Sequence, residues 1–481
     1  MVKLSRYTQE LCLPDGNLVL ANLLWNTFVE LTPAEQDYWT LIKKGVVQDG
    51  ADFAKRLTAS RILISDDFDE LEFMRSTYRR NRHSPDVLGL TIAPTIDCNL
   101  ACIYCYENKR RGMITPEVEQ KIKYYVADLL PGRKKFNVIW YGGEPLLCKD
   151  VVLSLSEYFR DRSRELNVTY SAQMTTNAML LSLSVAHDMA SIGGWTRVQI
   201  TIDGSHRYHN ARRPAKGGQG TFGQIYANLV QAVEMLPISL RMNVDAQNMD
   251  GCLELLEKLA SDMEASKLHV YFSPVHLYGK GCRDIAENGS VDILDHKTFS
   301  DQNLILTQRA RELGFKTDNA LRKSSLRQCQ AVSTHSIIVE PDGGLQRCWT
   351  EVGDNDRRIG DISAPVEIDA TPALRWLRFD PTTMEPCRTC EVLPSCFGGC
   401  PQRHLDSRPV EMICAGIRFN TKAVLLADYI ASHRPDLIQR VPPITKARAL
   451  DDALVQISPQ MTASRSTGRA SSSSDGRLSS V

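Results

Sequence analysis

The chain has 481 residues, in which 57 lysines and arginines balance 57 aspartates and glutamates. This length exceeds one ordinary core, and the balanced charge gives no long-range field to attract nucleic acid or an anionic membrane. No apolar run approaches the roughly 20 residues of a membrane span, and the N-terminal segment lacks the apolar core of a signal peptide. We therefore expect a cytoplasmic α/β enzyme of several domains, with no nucleic-acid or membrane partner.

Residues 1–85 combine helical patterns with short strands. The segment LTPAEQDYW begins like a capped helix, with Thr32 as N-cap, Pro33 in the first turn and Glu35 three residues after the cap. A second helical stretch and the short apolar run ILI follow. Helices followed by a small β element are typical of a winged-helix-like module. The alternative is a subdomain that only packs against the rest of the chain.

Residues 86–300 alternate between β-rich apolar runs and helical segments such as PEVEQKIKYYVADLL. The apolar runs are LGLTIAP, NVIWYGG, YSAQMTT, RVQITID, ISLRMNVD and LHVYFSP. Six repeats of strand then helix predict a parallel sheet, and the lack of a long terminal apolar block favours a partial (β/α)6 TIM-like barrel over a flat doubly wound sheet. In such barrels the functional residues lie at the carboxyl ends of the strands.

A helical connector, FSDQNLILTQRARELGF, leads into a cysteine-rich region that we place at residues 301–440. Beyond it, residues 441–481 end in SRSTGRASSSSDGRLSSV, whose bias toward serine, arginine and glycine cannot form a packed core. We predict that this tail is disordered and dispensable for catalysis.

Fourteen cysteines are many for a reducing compartment, where thiols rarely form structural disulfides, so metal ligation is the natural explanation. Three of them form a group directly after the first barrel strand, and seven more lie in the C-terminal third. The first group is Cys98, Cys102 and Cys105, and the second is Cys329, Cys348, Cys387, Cys390, Cys396, Cys400 and Cys414. The scattered Cys12, Cys148, Cys252 and Cys282 are predicted to be small buried hydrophobic residues.

The loop CNLACIYCYE places three thiols within a few residues. Three thiolates can hold three irons of a four-iron, four-sulfur cluster and leave the fourth iron open for chemistry. Zinc is the competing interpretation, but a structural zinc site usually closes with four ligands, and no fourth Cys or His lies near. The spacing favours the iron–sulfur cluster.

The pattern CxxxCxxC after the first strand of a partial barrel, with Tyr104 before the third cysteine, resembles the radical SAM enzymes. The resemblance implies that the open iron binds the amino and carboxylate groups of S-adenosylmethionine, with Tyr104 among the cofactor-binding residues. One electron from the cluster then cleaves this cofactor to a 5′-deoxyadenosyl radical. It also implies an external one-electron donor of the flavodoxin or ferredoxin type.

Three further motifs are similar to those of this family, each at the end of a predicted strand. YGGEP resembles the GGE motif, which implies backbone contacts from Gly143 and a carboxylate from Glu144 to the methionine ammonium. Thr201 in QITIDG and Arg213 in HNARRP fall on positions that contact the ribose and the methionine carboxylate. Asn177 in TTNA is a weaker candidate and could equally be a helix cap.

The C-terminal cysteines resemble the seven-cysteine SPASM signature, which binds two auxiliary clusters. Cys329 is followed after thirteen residues by Gly343 and after four more by Cys348, and a CxxCxxxxxCxxxC block runs from Cys387 to Cys400. The resemblance implies one cluster on Cys387, Cys390, Cys396 and Cys414, and three irons of another on Cys329, Cys348 and Cys400. Two zinc sites built from the same thiols are the alternative.

Two departures from the related sulfatase-maturing enzymes stand out. Those enzymes carry a further cysteine shortly before the first SPASM cysteine, whereas LRKSSLRQ precedes Cys329 here. The cluster on Cys329, Cys348 and Cys400 then has an open fourth iron, or Cys282 supplies its fourth ligand. Those enzymes also have an aspartate directly after the second SPASM cysteine, proposed to take a proton from the substrate, where this chain has Trp349.

These resemblances imply an enzyme that modifies a ribosomally made peptide or protein by hydrogen abstraction, with an intrapeptide cross-link as the expected product. The N-terminal module resembles elements that capture leader peptides by adding a strand to a sheet edge. One alternative is a sulfatase-type formylglycine maturase. Another is a non-catalytic zinc-binding regulatory protein whose winged-helix-like part binds DNA, against which the neutral charge argues.

Overall fold

The computed structural model describes residues 2–45, 52–107, 112–276, 291–318, 326, 329–364, 371–406 and 414–440. These residues belong to one compact unit. The tail predicted to be disordered and Cys282 lie outside them, and of the segment LRKSSLRQ directly before Cys329 only Leu326 lies within them.

The N-terminal region begins with strands and ends with a helix. Its strands are β1 (Val2–Leu4), β2 (Thr8–Cys12), β3 (Leu18–Asn22), β4 (Thr27–Leu31) and β5 (Leu63–Ser65). Its helices are α1 (Pro33–Lys43), α2 (Asp52–Ala59) and α3 (Glu70–Arg82). Strands β2, β3 and β4 form an antiparallel sheet in that order, and β1 pairs with β5.

Local sequence explains these elements. The turns before β3 and β4 contain Gly16 and Asn26 in left-handed conformations, which these residue types adopt at low cost. Helix α1 begins with the predicted capping box, in which the Glu35 side chain accepts from the Thr32 backbone amide at 2.9 Å. The expected order of two helices followed by a short strand is confirmed by α1, α2 and β5, but the four strands that precede α1 were not predicted. A winged-helix-like module stays a prediction.

The central region is the six-fold strand and helix alternation that the sequence predicts. Its strands are β6 (Val87–Ile92), β7 (Lys135–Trp140), β8 (Thr169–Thr176), β9 (Trp195–Thr201), β10 (Ile238–Val244) and β11 (His269–Pro274). Its helices are α4 (Pro116–Leu129), α5 (Lys149–Glu165), α6 (Leu183–Ile192), α7 (His206–Arg212), α8 (Phe222–Ala232) and α9 (Met249–Asp262). All neighbouring pairs among β6 to β11 are parallel, so the predicted parallel sheet is confirmed.

The core lies between this sheet and its helices. On β7, Phe136, Val138 and Trp140 are fully buried, and Phe136 meets Phe159 of α5 edge to face at 5.3 Å. The buried indole of Trp140 donates to the Ser156 hydroxyl at 3.0 Å, which satisfies its one polar atom. Truncating such an aromatic residue to alanine costs about 3–5 kcal/mol. The same packing holds the strand ends, where the polar residues cluster, in fixed positions.

The C-terminal region adds strands to the barrel sheet. Its strands are β12 (Lys316–Thr317), β13 (Ser336–Val339), β14 (Gly344–Gln346) and β15 (Gly360–Asp361). Its helices are α10 (His296–Glu312), α11 (Thr371–Leu377), α12 (Leu393–Cys396), α13 (Pro401–Leu405) and α14 (Ile417–His433). The ten-stranded sheet runs from β12 through β11 to β6 and then to β13, β14 and β15.

Strand β13 pairs in parallel with β6, so the hairpin of β13 and β14 extends the sheet beyond the first barrel strand. Gly89 of β6 allows this approach, because a side chain there would collide with Ser336. Strand β14 is antiparallel to β13 and therefore also to β6, and Cys348 follows it, directly before Trp349. The sheet remains open, with β12 and β15 at its edges, as expected for a partial barrel.

The N-terminal region packs against the cysteine-rich region. The buried Tyr78 hydroxyl donates to the Phe379 carbonyl at 2.8 Å, and Arg82 donates to the same carbonyl at 3.1 Å. At the sheet, Tyr429 of α14 donates to the Glu30 carboxylate at 2.7 Å. The first 85 residues are therefore an integral part of the compact unit.

In the described ranges, none of the helices combines the length and hydrophobicity needed to span a bilayer.

Candidate functional site

A cleft opens at the carboxyl ends of the barrel strands. The space in it, counted together with the adjoining open solvent, is about 980 Å³. Cys98, Cys102 and Cys105 all line it. Every later barrel strand contributes further lining residues: Gly142, Gly143, Thr175, Thr176, Asn177, Gln199, Thr201, Arg213, Arg241, Asn243, Val275 and His276. The site lies where the barrel topology predicts it.

The three-cysteine loop is attached to the segment that follows α7. The backbone amide of Ala101 donates to the Pro214 carbonyl at 2.8 Å, and that of Ile103 donates to the Arg212 carbonyl at 3.0 Å. These bonds cross the barrel mouth from the end of β6 to a point beyond the end of β9. The loop is therefore held by tertiary contacts and not by its own hydrogen bonding alone.

Tyr104 is the centre of a buried hydrogen-bond network. Its hydroxyl accepts from Arg213 at 2.8 Å and from the Asn243 side-chain amide at 3.1 Å, and it donates to Asp203. Burial and the charge of Asp203 raise the pKa of Tyr104 well above its usual value, against the opposing charge of Arg213, so the hydroxyl stays protonated. Its hydroxyl thus fixes Arg213, and its predicted contact with the cofactor stays a prediction.

The Gly-Gly-Glu turn has a steric reason. A side chain at Gly143 would collide with the carbonyl of Asp97 in the cysteine loop, and one at Gly142 would collide with the carbonyl of Thr95. The same close approach lets the Gly143 amide donate to Thr95 at 3.1 Å and the Glu144 amide donate to Asp97 at 2.9 Å. The glycines therefore allow the end of β7 to touch the loop that carries the cysteines.

Glu144 is fully buried, and its carboxylate is occupied by the protein itself. One oxygen accepts from the Leu146 amide at 3.0 Å and the Thr176 hydroxyl at 2.7 Å, and the other accepts from the Asn177 amide at 2.7 Å. Burial raises the pKa of this carboxyl. The side chain positions the end of β8, and the contact with a methionine ammonium stays a prediction.

Asn177 is not a helix cap, since Ser182 caps α6 instead. Its side-chain carbonyl accepts from the Met179 amide at 2.9 Å, and its side-chain amide points at the Cys98 sulfur at 3.6 Å. Its position at the end of a strand places its amide beside a cysteine that the sequence predicts to bind metal.

Thr201 and Arg213 line the cleft together, and their contacts with a cofactor stay a prediction. Sequence reasoning missed their neighbours. Asp203 and Asn243 hold Tyr104, and a buried ion pair joins Arg212 to Asp245 at 2.6 Å. The sequence did contain a signal for these residues, because ITIDG and RMNVD each carry polar residues at the end of a buried strand.

One side of the cleft is aromatic. Tyr141, at the end of β7, stacks in a tilted arrangement on Trp349 with ring centroids 4.5 Å apart, and the hydroxyls of Tyr106 and Tyr141 are hydrogen bonded. All three residues line the cleft. Trp349 thus brings the cysteine-rich region to the three-cysteine site.

Four of the C-terminal cysteines surround one small cavity. Cys387, Cys390, Cys396 and Cys414 line it, and Arg418 donates to the Cys414 sulfur at 2.7 Å. This is the set that the sequence assigns to one auxiliary cluster, so four thiols and one cation face a common space. Such a donor set fits an iron–sulfur cluster.

The other three predicted ligands lie near one another. Cys329 is exposed, with the charge of Cys400 acting on its thiol, and burial together with Cys329 raises the pKa of the Cys348 thiol. The Cys348 sulfur lies 3.2 Å from the Thr350 hydroxyl and 3.4 Å from the Gln402 side-chain oxygen. The fold thus places the polar side chain of Gln402 beside these three cysteines.

The described cysteines are all free thiols. Cys148 and Cys252 are buried, as predicted, but Cys12 is exposed because it ends the edge strand β2 with its side chain on the solvent side. Within the described ranges, no three His, Cys, Asp or Glu side chains are placed to hold a single metal ion.

Comparison with known proteins identifies the barrel. Residues 92–259, from the end of β6 into α9, match the Radical SAM superfamily. A serine-type anaerobic sulfatase-maturating enzyme from Klebsiella aerogenes is 23% identical over 362 residues, which cover 70% of this chain and 84% of the relative.

Two solved structures share the fold. Native anSMEcpe with bound AdoMet aligns with a TM-score of 0.55 and 19% identity, over 74% of this chain and 100% of that chain. The same protein with bound AdoMet and Cp18Cys peptide aligns with a TM-score of 0.54 and 18% identity, over 74% and 99% of the two chains. With three cysteines, a Gly-Gly-Glu turn, Thr201 and Arg213 around one cleft, the chain carries a radical SAM domain at residues 92–259.

Proposed function

We propose that this radical SAM enzyme modifies a peptide or protein after translation by abstracting hydrogen from a side chain or an α-carbon, and that the product is an intrapeptide cross-link. The observation that carries the proposal is the single cleft that gathers Cys98, Cys102 and Cys105 with Thr201 and Arg213. A metal-binding segment and polar groups for an amino-acid cofactor thus face one space.

In this proposal Cys98, Cys102 and Cys105 hold a [4Fe-4S] cluster, and S-adenosylmethionine binds beside it. Bound there, the pair supplies hydrogen-abstracting radical chemistry. Arg213 is a cation suited to the cofactor carboxylate, Thr201 offers a hydroxyl to the ribose, and the Tyr104 hydroxyl keeps Arg213 in place. Glu144 keeps the end of β8 in position through its contacts with Thr176 and Asn177, and Gly143 presents backbone groups at the same end of the barrel.

We further propose two auxiliary iron–sulfur clusters in the C-terminal region. Cys387, Cys390, Cys396 and Cys414 hold one, supported by the cavity that they share. Cys329, Cys348 and Cys400 hold three irons of the other, at the edge of the barrel mouth. Iron–sulfur potentials span roughly −700 to +450 mV, so an electron-accepting role is feasible. A flavodoxin-type or ferredoxin-type donor supplies the first electron.

A peptide substrate is supported by the fold and by the composition of the cleft. The related structure of anSMEcpe contains a bound Cp18Cys peptide. In this chain the cleft is bounded by barrel residues on one side and by Trp349 of the C-terminal region on the other. A substrate between them would be in reach of both sets of cysteines.

Formylglycine formation on a sulfatase is a second candidate with equal support. The Klebsiella relative aligns over 70% of this chain and is a serine-type sulfatase-maturating enzyme. Trp349 has no group that takes up a proton at neutral pH, so this reaction would require another acceptor. The two candidates differ in product and not in the first hydrogen abstraction.

The radical SAM assignment of the loop is tested on anaerobically purified protein. Iron, sulfide and zinc are measured together with 5′-deoxyadenosine formed from S-adenosylmethionine and dithionite. Replacing Cys98, Cys102 and Cys105 with alanine should abolish cofactor cleavage, and Cys12→Ala is the matched control because that cysteine is exposed and remote in sequence. Cleavage that survives in the triple variant would refute the proposed cluster site.

The product is tested by co-expression with short open reading frames beside the gene and with a sulfatase fragment. A cross-link suppresses fragment ions between the joined residues in tandem mass spectrometry, whereas formylglycine yields an aldehyde that reacts with a hydrazide probe. An aldehyde on the sulfatase fragment with unmodified short peptides would select the second candidate.

Capture of a leader peptide by the N-terminal region is part of the proposal. The edge strands of its sheet are β2 and β4, and strand addition at an edge supplies backbone hydrogen bonds to an extended peptide. Hydrogen exchange should slow at residues 8–12 or 27–31 when the precursor binds. A bound precursor that protects neither strand would contradict capture by strand addition.

A further inference from the structure

Tyr106, Tyr141 and Trp349 form one side of the cleft, which we call the aromatic wall. Tyr106 directly follows Cys105, and Trp349 directly follows Cys348. Tyr141 lies between them, stacked on Trp349 with centroids 4.5 Å apart and hydrogen bonded to Tyr106. The wall therefore lies between the two cysteine groups, where a substrate contacting both would pass.

The wall presents rings and not hydroxyls. The Tyr106 and Tyr141 hydroxyls bond to each other, and Glu107 also bonds to the Tyr141 hydroxyl. Burial raises the pKa of Tyr141 well above its usual value, so this hydroxyl carries no charge. Behind the wall, Trp349 packs against a small apolar cluster that includes Ala93, Ile96 and Val352. An apolar surface thus faces the cleft on a rigid backing.

The charges around the wall oppose each other. The Glu107 carboxylate and the Arg241 guanidinium both act on the Tyr106 hydroxyl, with opposite sign. Arg213 lies on the cofactor side of the same cleft. A charged side chain of either sign would meet a like charge as well as an opposite one, and it would lose hydration on entering this partly apolar cleft. A neutral ring avoids both costs.

We infer that the aromatic wall is a substrate subsite for an uncharged aromatic side chain of the peptide. Tilted and offset ring pairs with centroids 4.5–7 Å apart are favourable beyond their buried area, so a third ring can extend the Tyr141 and Trp349 pair. The inference rests on the proposed peptide substrate and specifies a side chain next to the modified residue. Trp349 is then a specificity residue, at the position where the sulfatase-maturing relatives are expected to carry an acid.

The test uses the full chain with its clusters, labelled with 5-fluorotryptophan and studied by fluorine NMR. The chain has six tryptophans, and the resonance lost in Trp349→Phe identifies Trp349. The probes are the N-acetyl amides of phenylalanine, lysine and aspartate. The Trp349 resonance should shift or broaden saturably with the phenylalanine probe, at concentrations at least several-fold lower than with either charged probe.

Two variants accompany the titration, one that removes the stacking partner and one that serves as a control. Tyr141→Leu should weaken binding of the phenylalanine probe several-fold, because it removes the stacking partner but keeps an apolar side chain. Trp195→Phe is the matched control, since that indole donates to the Met189 carbonyl at 2.7 Å outside the cleft, and its titration should equal that of the parent protein.

The inference is overturned if the Trp349 resonance does not respond to the phenylalanine probe, or if a charged probe binds as tightly. Formation of 5′-deoxyadenosine by the same sample separates this result from the proposed function. Normal cofactor cleavage without an aromatic preference contradicts the subsite alone, whereas absent cleavage contradicts the proposed function itself.

Discussion

Arg213 donates a hydrogen bond to the Tyr104 hydroxyl at 2.8 Å, which joins the three-cysteine loop to the chain beyond α7. The same hydroxyl reaches Asp203 and Asn243, at the ends of β9 and β10. Residues from the ends of three barrel strands are thus held in one network. A change at any of them should act on cofactor binding through the others.

Arg213→Lys should weaken S-adenosylmethionine binding about 10- to 100-fold, because hydrogen bonds involving a charged group contribute about 1.5–3 kcal/mol and lysine cannot reproduce the planar guanidinium fork. Equilibrium binding by anaerobic ultrafiltration measures the effect. Arg207→Lys, an exposed change on the adjoining α7, is the control and should bind normally. Equal affinity in both variants would argue against a cofactor contact at Arg213.

Cys414→Ala should remove about one four-iron cluster per chain and leave cofactor cleavage by the barrel site in place. The reason is that Cys414 lines the four-cysteine cavity and lies outside the barrel cleft. Iron and sulfide analysis with Mössbauer spectroscopy measures the loss, and Cys148→Ala, a buried cysteine outside both groups, is the control. Unchanged iron, or zinc in its place, would contradict the auxiliary cluster.

His209 should make the fold sensitive to acid. Its Nδ1 accepts from the Asp203 amide at 3.3 Å, and its Nε2 bonds with Thr221 at 3.0 Å, so the neutral ring fits. Burial, with the charge of Arg213, lowers the pKa of His209 from 6.5 to about 3. A lowered histidine pKa contributes stability that is present above 6.5 and is lost as pH falls toward the folded value.

The measurement compares denaturant unfolding of the parent protein and His209→Gln between about pH 8 and about pH 5. The parent should lose about 2 kcal/mol more than the variant over this interval, since glutamine mimics the neutral ring and does not titrate. His206→Gln, an exposed change on the same helix, should retain the full loss. Parallel curves for the parent and His209→Gln would contradict the assignment.

Arg82→Ala should destabilise the protein by about 2–4 kcal/mol, because it leaves buried carbonyls of the cysteine-rich region without their charged donor. Arg82 donates to Phe379 at 3.1 Å and also to Leu377. Arg80→Ala, an exposed change on the same helix, should cost less than about 0.5 kcal/mol. Thermal unfolding compares the two, and equal midpoints would contradict the interface.

This contact also affects the choice of experiments on the N-terminal region. Removal of residues 1–85 would delete Tyr78 and Arg82 and uncover the chain around Phe379. Loss of peptide binding in such a truncation would therefore not separate recognition from folding. Hydrogen exchange on the intact chain avoids this problem.

Much of the fold could be predicted because its signals are local. A run such as LGLTIAP followed by an amphipathic segment predicts a strand and a helix wherever they lie, and six repeats predict a parallel sheet. The Thr32 cap was predicted for the same reason, since its partner Glu35 is three residues away. The order of elements before α1 was not, because short strands carry weak patterns and depend on their neighbours.

The candidate site also has a part that the sequence predicts and a part that it does not. The three cysteines of the loop and the CxxCxxxxxCxxxC block are close in sequence, so spacing alone indicated metal binding. The partners of Tyr104 could not be predicted, because Asp203 and Asn243 are about 100 and 140 residues away and nothing in the spacing connects them.

The sequence by itself determined the order of the six barrel strands along the chain and the cysteine groups, because each depends on neighbours within a few residues. Only the tertiary structure decided that Trp349 stacks on Tyr141 and that Arg82 joins the N-terminal region to the cysteine-rich one. These contacts depend on β13 pairing with β6 and on α3 packing beside Phe379. Such pairings are set by the packing of the whole core, and short-range pattern carries no information about them.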